Sequence, residues 1–446
     1  MESKNADFRQ ILQLYIKNRS KENVLQAIAK LEQMDGVYSA EPNYLMEPAA
    51  VSNDPYFTNN SQWNLNGTGG INVPSAWDIT TGSKSVRVGV IDSGIAHHPD
   101  LNDNLVQGRD FYNNDSITDD DEYGHGTQVA GIIGAVGNNA MGVAGINWNV
   151  TLVPLQVGYY DAQNKFYFSL SSINSAINYA SELWGTEQQI DILNYSGSTF
   201  GNTPSMLNSI REFEGLFVWS AGNNGINVDE YNNINSYNLD NLISVGAIDK
   251  SNERSVWGKE SSNYGNNVDI FAPGGKEFTA NENIPTTNNQ GSYSYFNGTS
   301  AAAPHVAGVA ALILSINPTL TSADLKKLIL DNADIISIST PDGKQDVKKL
   351  NAYEALSNTH KHSFIQFSSV DSNSHIKTCA CGYSVTETHP YQSSYKKYDG
   401  TKHWAYCSCG ERKLKAHVVS SDDHIGKQIC ILCKSVVDLG FVYPTE

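Results

Sequence analysis

Between residues 84 and 360, short runs of apolar and β-branched residues alternate with longer stretches that carry apolar residues at helical spacing. Strands that alternate with helices along a chain form a mostly parallel sheet with helices on both faces. The sequence therefore predicts an α/β domain of this architecture. Ligands of such sheets bind beyond the carboxyl ends of the strands, and the apolar runs end at or near Asp92, Ser196 and Asn223.

Composition excludes several classes of protein. The chain has 446 residues, of which 40% are hydrophobic, so it can form one large domain with smaller additions. Its formal net charge of −17 argues against a general nucleic-acid binder, which needs a basic face, and is explained by solubility. No apolar run predicts a membrane span, and no secretory signal is visible at the N-terminus. The protein is therefore expected to be cytosolic, or else the sequence lacks its true start.

Four polar residues stand beside glycines at strand ends or helix starts: Asp92 in "VIDSGIAHHPD", His125 in "GHGTQVAG", Asn223 in "WSAGNNG" and Ser300 in "NGTSAAAPHVAG". A serine hydroxyl is a poor nucleophile until a histidine takes its proton, and a buried carboxylate must hold that imidazole in the right tautomer. These residues are therefore the parts of an activated serine. Ser300 is also expected to cap and open a buried helix that reaches Leu314.

The four segments resemble, in the same chain order, those of the subtilisin-like serine peptidases, the subtilase family. The resemblance covers roughly residues 50 to 350. It implies a serine endopeptidase in which Asp92 orients His125, His125 acts as general base and then general acid, and Ser300 is the nucleophile. It also implies that Asn223 donates its side-chain amide to the oxyanion, together with the Ser300 N–H. The alternative is a catalytically silent binding or adhesion protein that keeps the subtilase fold.

Residues near the specificity pocket depart from the family pattern, so the substrate preference stays open. Gln128 stands where the family usually has a second histidine, and Ala301 stands where it usually has a methionine. Asp229 and Glu230 either favour a basic substrate residue or belong to a solvated loop, which is the favoured interpretation. The resemblance also implies that six residues bind an extended peptide through their backbone: Tyr195, Ser196, Gly197, Ser220, Ala221 and Gly222.

The resemblance further implies a structural calcium ion, whereas no cofactor is expected for catalysis. The family's strong calcium site uses an aspartate after the Asp-Ser-Gly segment and a loop after the histidine helix. In this sequence those positions are Asp100 and the loop 137–143, where Asn139 and backbone carbonyls would be further ligands. The loop has one residue more than the family pattern, and calcium stays an open prediction.

Residues 1–50 are interpreted as a propeptide-like inhibitor and chaperone unit, truncated at its front, before a catalytic domain at 51–358. "FRQILQLYIK" and "GVYSAEPNYLME" are predicted to be strands on either side of a helix in "KENVLQAIAKLEQM". The second strand would occupy the substrate cleft, and maturation would cut between Met46 and Asp54. A permanent N-terminal arm is the alternative.

Residues 359–446 are predicted to form a separate Cys/His-rich module. The segments "HIKTCACGYSVTETH" and "HWAYCSCGERKLKAH" have identical spacing of histidines and cysteines, and a third copy is degraded. Two thiolates and two imidazoles suit tetrahedral zinc, while disulfide bonding is the alternative. The predicted zinc ligands are His375, Cys379, Cys381 and His389 in the first copy, and His403, Cys407, Cys409 and His417 in the second.

Together these features predict a zymogen that is secreted or held at the cell surface. It would act as a monomer on a protein or peptide substrate, and its own propeptide would be its other partner. Nucleic acid and a membrane span are not expected.

Overall fold

The computed structural model describes residues 50–359, apart from gaps at 120, 198–202, 231–238 and 278–279. It also describes the helix α1 (Lys21–Leu31), residues 14, 34 and 37, and a set of strands after residue 360. The chain divides into one unit of residues 48–360 and a second unit of residues 1–47 and 361–446.

The larger unit consists of strands and helices that alternate along the chain. The strands in its described part are β1 Gly82–Asp92, β2 Arg109–Asp110, β3 Asn149–Gln156, β4 Gly158–Tyr160, β5 Phe166–Phe168, β6 Ile192–Tyr195, β7 Leu216–Ser220, β8 Leu242–Ile248, β9 Val256–Trp257, β10 Glu260–Ser261, β11 Ile270–Pro273, β12 Ile284–Thr287, β13 Tyr293–Phe296, β14 Asp334–Thr340 and β15 Gly343–Lys349. The helices are α2 Pro55–Thr58, α3 Val73–Trp77, α4 His125–Gly134, α5 Leu170–Glu182, α6 Pro204–Glu212, α7 Thr299–Ile316, α8 Ser322–Asp331 and α9 Ala352–Ser357.

Nine of these strands form one sheet in the order β14-β15-β11-β8-β7-β6-β1-β3-β2. Every neighbouring pair in this sheet is parallel except β14 and β15, which form an antiparallel hairpin at one edge. The predicted parallel sheet is therefore confirmed. Its central strands β6, β7 and β8 are buried along their whole length, as expected of parallel strands covered on both faces.

Helices cover both faces of the sheet, as predicted. Helices α4 and α7 contribute to the apolar core on one face, together with Val88 and Val90 of β1. Helices α5 and α6 contribute to the core on the other face, together with Ile91. Alternate residues of β1 thus enter opposite cores, because successive side chains of a strand point to opposite faces.

The helix α7 passes along the centre of the sheet, against β1, β6, β7, β8 and β11. Its small residues let it approach closely: a Cβ at Gly308 would lie 3.0 Å from the side chain of Ile146. By length and composition α7 could also cross a membrane, but 83% of it is buried inside the domain. The position of α7 is that of a core helix, and its N-terminus lies where the strands β6 and β7 end.

In the smaller unit, α1 confirms the predicted N-terminal helix, whereas both predicted flanking strands lie outside the described residues. The described residues of the tail form two three-stranded antiparallel sheets and a separate hairpin. Its strands are β16 Phe364–Ser369, β17 Ser374–Cys379, β18 Ser384–Thr388, β19 Ser394–Lys397, β20 Lys402–Tyr406, β21 Arg412–Ala416, β22 Lys427–Ile429 and β23 Val436–Asp438.

The two tail sheets follow the two copies of the Cys/His repeat. His375 is the second residue of the middle strand β17, and His403 is the second residue of the middle strand β20. The repeat in sequence is thus also a repeat of strands. Of the predicted zinc ligands, His375, Cys379 and His403 are placed by their backbone alone, while Cys381, His389, Cys407, Cys409 and His417 lie outside the described residues. Zinc stays a prediction.

Candidate active site

Asp92 ends β1 at the carboxyl edge of the sheet and is fully buried. The strand lies between β3 and β6; Gln156 of β3 pairs with Asp92, while the pairing with β6 ends one residue earlier, at Ile91. The Asp92 carboxylate accepts hydrogen bonds from the Ser93 N–H at 2.8 Å and from the Ser93 hydroxyl at 3.2 Å. These contacts fix the direction in which the carboxylate faces the helix α4.

His125 is the first residue of α4, directly after Gly124, whose φ is +83°. Its Nδ1 lies 2.8 and 2.9 Å from the two carboxylate oxygens of Asp92, so Nδ1 carries the proton and Nε2 is left to accept one. Burial opposes a charge on the ring, but the charge of Asp92, its hydrogen bond and the charge of Asp121 outweigh burial and raise the pKa of His125. With 14% of the side chain exposed, the ring remains accessible from one edge.

Ser300 is the second residue of α7, and Gly298 is the residue that precedes the helix as N-cap. The expected capping role of Ser300 is therefore wrong. Its hydroxyl instead donates to the carbonyl oxygen of Ser196 at 2.8 Å, and the Ser196 hydroxyl donates to the Ser300 carbonyl oxygen at 3.0 Å. This reciprocal pair joins the start of α7 to the end of β6.

Within the described residues, no hydrogen bond joins Ser300 Oγ to His125. Phe296, which lies four positions before Ser300, packs edge-on against the His125 ring with centroids 5.1 Å apart. The Ser300 hydroxyl proton is directed to the Ser196 carbonyl oxygen in this structure. Catalytic hydrogen bonds of free enzymes often form only when substrate is bound.

Asn223 follows β7, and Thr299 orients its side chain. The Asn223 Oδ1 accepts hydrogen bonds from the Thr299 N–H at 3.0 Å and from the Thr299 hydroxyl at 2.8 Å. The same hydroxyl accepts from the Gly222 N–H at 3.2 Å. Because the amide oxygen is occupied in this way, the amide nitrogen faces away from Thr299 as a donor. The sequence interpretation missed Thr299, although its position directly before Ser300 was a signal.

The residues expected to bind a peptide backbone lie at the ends of β6 and β7. Tyr195 belongs to β6, which pairs with β1 on one side and with β7 on the other. An added strand therefore cannot pair with Tyr195, because both of its backbone edges are occupied. Ser196, Gly197, Ala221 and Gly222 lie beyond the strand ends, and the Ser220 hydroxyl joins the two segments by donating to the Gly197 carbonyl at 3.0 Å.

An aromatic surface adjoins His125. The ring of Phe166 lies over Gly158, where an added Cβ would come within 2.1 Å of it. Tyr123 stacks on Phe166 with centroids 4.2 Å apart and planes 3° apart, and Phe168 packs edge-on against the His125 ring at 6.2 Å. With Tyr160, which packs edge-on against Phe166, these rings form what we call the aromatic shelf: Tyr123, Tyr160, Phe166 and Phe168.

Asp229 is held by hydrogen bonds within the domain. Its carboxylate accepts hydrogen bonds from the N–H groups of Asn266 and Asn267, both at 2.8 Å, and from the Asn266 side-chain amide at 2.9 Å. These donors hold a turn in place. The favoured interpretation of this segment as a surface loop agrees with the geometry, and recognition of a basic substrate residue by Asp229 is not supported.

Two buried carboxylates face the loop 137–143, of which the sequence interpretation identified one. Asp100 accepts hydrogen bonds from the Asn139 amide at 2.7 Å and from the Val143 N–H at 3.2 Å. Asp54 accepts from the N–H groups of Asn138 and Asn139 at 2.7 and 3.0 Å. Burial raises the pKa of Asp100 to about 6, against the lowering effect of its hydrogen bonds, and the charge of Asp54 adds to the rise.

The groups that contact Asp54 and Asp100 are N–H donors, and the Asn139 amide oxygen, a predicted calcium ligand, accepts from the Met141 N–H at 2.9 Å, so calcium stays a prediction that rests on the two carboxylates. Both carboxylates are fully buried, and no lysine or arginine of the described chain forms an ion pair with either. The described part of the chain holds no group of three acidic, histidine or cysteine side chains, so amide and carbonyl oxygens of the loop would complete the ligand shell.

The subtilase family profile matches residues 83–358, which is more than half of the chain. The chain belongs to the subtilase family. This subtilase is 33% identical over 319 residues to the thermophilic serine proteinase of Bacillus sp. strain AK1, across 71% of this chain and 72% of that one. It is 33% identical over 338 residues to the extracellular protease of Xanthomonas campestris pv. campestris, across 67% of this chain and 55% of that one.

Among solved structures, the subtilase is similar to one described as proteases from Pseudoalteromonas arctica. The TM-score is 0.61 and the identity 31%, across 70% of this chain and all of that chain. The neighbour supports the subtilisin-like α/β fold. As a member of this family, the chain is a subtilisin-like serine peptidase, a hydrolase.

Proposed function

We propose that the protein is a serine endopeptidase that cleaves peptide bonds through Asp92, His125 and Ser300. The observation that carries the proposal is the pair of short contacts between His125 Nδ1 and the buried Asp92 carboxylate, at the carboxyl edge of the sheet; Ser300 lies in the first turn of α7. Nδ1 is thereby held as donor, and Nε2 becomes the base. The catalytically silent binding protein is the other candidate, and the labelling experiment that ends the Discussion separates the two.

In the proposed mechanism, His125 Nε2 takes the Ser300 hydroxyl proton as Oγ attacks the peptide carbonyl carbon. The tetrahedral oxyanion accepts hydrogen bonds from the Asn223 amide and the Ser300 N–H. The carbon–nitrogen bond then breaks, the imidazolium gives its proton to the leaving amine, and an ester on Ser300 remains. A water molecule, deprotonated by His125, attacks this ester, and the released Ser300 oxygen recovers the proton.

The aromatic shelf is proposed to receive large apolar side chains of the substrate close to the scissile bond. We expect Tyr123→Ala to lower kcat/KM about tenfold for peptides with an aromatic residue close to the scissile bond, and less for peptides with glycine at that position. An aromatic side chain would bury apolar area on the shelf and make ring contacts with it, which glycine cannot do. Tyr112→Ala is the matched control. Tyr112 is similarly exposed (46% against 51%) and stacks in the same way on a hairpin ring, that of Tyr159, at 4.4 Å. Equal losses in both variants, or for both peptides, would contradict the role of the shelf.

Calcium is proposed to bind between Asp54 and Asp100 and to hold the segment before α2 against the loop 137–143. We expect saturating calcium to raise the unfolding temperature by about 5 °C relative to chelator, the shift for a ligand at some 100 times its Kd. Asp54→Asn is expected to abolish this increment. Asp269→Asn, which removes another carboxylate that accepts from a backbone N–H, that of Ser244 at 2.8 Å, should retain it. No calcium response in the unmodified protein would remove the site.

Maturation, localisation and the tail complete the proposal. Residues 1–50 are proposed to act as a propeptide, and the printed name of the Xanthomonas relative, an extracellular protease, supports export. An N-terminal sequence of the active protein that begins before Met46 would contradict the propeptide.

Residues 359–446 are proposed to bind zinc, and metal analysis of the full chain that finds less than one zinc per molecule would exclude this.

A further inference from the structure

A second buried carboxylate, Asp121, stands behind the Asp92–His125 pair. It lies four residues before His125 and is 3% exposed. One carboxylate oxygen accepts a hydrogen bond from the Gly124 N–H at 2.8 Å. The other accepts from the Thr127 N–H at 2.9 Å and from the Thr127 hydroxyl at 2.6 Å. Asp121 thus holds the backbone on both sides of His125.

The same turn is fastened to the segment that carries Asp92. The Thr127 hydroxyl, which donates to Asp121, accepts from the Ala96 N–H at 2.9 Å. The Ser93 hydroxyl accepts from the Gly126 N–H at 2.9 Å. The packing leaves no room for a side chain at Gly126, where a Cβ would lie 2.0 Å from the Gly94 carbonyl oxygen. The position of His125 relative to Asp92 therefore depends on this set of contacts.

These contacts use both carboxylate oxygens of Asp121, but none of them comes from a positively charged group. Serine and asparagine each offer one acceptor oxygen, so neither could accept from Gly124 and from Thr127 as the two carboxylate oxygens do. Buried Asp249 has a lysine partner, Lys276 at 3.3 Å, whereas buried Asp54, Asp100 and Asp110 have no ion pair in the described part of the chain. In the described part of the chain, no basic side chain forms an ion pair with Asp121. An unpaired negative charge beside another carboxylate is costly unless a positive charge develops nearby.

We propose that Asp121 is a positioning residue for the reaction: it fixes the first turn of α4 and stabilises the positive charge that His125 acquires when Ser300 gives up its proton. The inference rests on the proposed function, because only proton transfer to His125 creates that charge. Asp121 touches neither substrate nor the reacting atoms and acts through His125.

Two negative charges, those of Asp92 and Asp121, raise the pKa of His125. Asp92 faces the ring from β1, and Tyr123 lies beside it on the segment before α4. Phe168 and Phe296 face it from β5 and β13 without charge. Burial raises the pKa of Asp121 itself and the charge of Asp92 adds to that rise, whereas hydrogen bonds from Thr127 and Ser93 oppose it.

The test compares Asp121→Asn with the matched control Asp110→Asn in the full chain. Asp110 is equally buried and also accepts two backbone hydrogen bonds and one from an amide, at 2.7, 3.1 and 2.7 Å. It lies two strands from Asp92, about 10 Å away at the usual strand spacing. Two quantities are measured for each variant: the pH dependence of kcat/KM, and the NMR titration of the His125 ring in a Ser300→Ala background, which needs no activity.

In Asp121→Asn we expect the acid limb of kcat/KM and the NMR titration of His125 to move to lower pH, because a negative charge near the ring is lost. We also expect the plateau value of kcat to fall about tenfold, which is the middle of the range of interaction energies between neighbouring residues. In Asp110→Asn the acid limb of kcat/KM and the His125 titration are expected to stay unchanged. A titration of His125 unchanged in Asp121→Asn, with activity lost only in proportion to stability, would overturn the proposal and leave Asp121 as a neutral or purely structural cap. Absence of peptidase activity in the unmodified protein would instead refute the proposed function and leave the NMR comparison valid.

Discussion

Replacing Ser300 by alanine is expected to lower kcat for peptide hydrolysis about 10⁶-fold, the size of effect when a unit of serine, histidine and aspartate is broken. The variant should fold normally. It loses the hydrogen bond from the Ser300 hydroxyl to the Ser196 carbonyl, but it keeps the one that the Ser196 hydroxyl donates to the backbone carbonyl of residue 300. His125→Ala should cause a loss of the same order, and the double variant no further loss. The measurement is single-turnover and steady-state hydrolysis of an internally quenched peptide.

Ser315→Ala is the matched control for this prediction. Ser315 lies on the same helix α7, and its hydroxyl also donates to a backbone carbonyl, that of Leu312 at 2.7 Å. Its removal should leave kcat unchanged. A Ser300→Ala enzyme that retains more than a hundredth of the activity would show that another group is the nucleophile. Additive losses in Ser300→Ala and His125→Ala would show that the two residues do not act together.

The second large effect on kcat is expected when the hydrogen bond from Asn223 to the oxyanion is removed. Asn223→Ala should lower kcat by about 10²–10³ with little change in KM, since the amide donates to charge that exists only in the transition state. Thr299→Val should cause a smaller loss of the same kind, because it removes the hydroxyl that accepts from Gly222 and donates to Asn223. Thr299→Ser keeps that hydroxyl and should restore most of kcat.

Separate measurement of kcat and KM decides this prediction. Thr299→Val also leaves the buried Gly222 N–H without its acceptor, so a loss of stability of about 1–3 kcal/mol is expected beside the kinetic effect. If Asn223→Ala raises KM and leaves kcat unchanged, the amide binds substrate and transition state equally. If Thr299→Ser is as slow as Thr299→Val, Thr299 acts through its methyl packing and not through Asn223.

Local patterns in the sequence predicted the fold and the four central residues. β1 could be recognised because its apolar run stops at Asp92, and α7 because small and apolar residues follow Ser300 without a break. Each of these signals lies within one continuous segment. The order of elements along the chain then sufficed for the parallel sheet, since helices between strands allow parallel connections.

The remaining features depend on residues that are distant in sequence. The reciprocal pair of Ser196 and Ser300 joins positions 104 residues apart, and Asp54 meets the loop at Asn139 across 85 residues. No local pattern marks such partners. The aromatic shelf combines Tyr123 with a hairpin that follows β3, and its ring stacking depends on a glycine in the opposite strand. These contacts follow from how the segments pack, which propensity and spacing do not specify.

The most direct test of the proposed function is labelling of the mature, folded protein with a fluorophosphonate, a reagent that reacts with activated serines. The unmodified protein, Ser300→Ala, His125→Ala and Ser315→Ala are compared by mass spectrometry. We expect one label per molecule on Ser300 in the unmodified protein and in Ser315→Ala, and none in the other two. A folded, propeptide-free protein that takes up no label would contradict the account, because Asp92 and His125 would then fail to activate Ser300, and the silent binding protein would replace the peptidase.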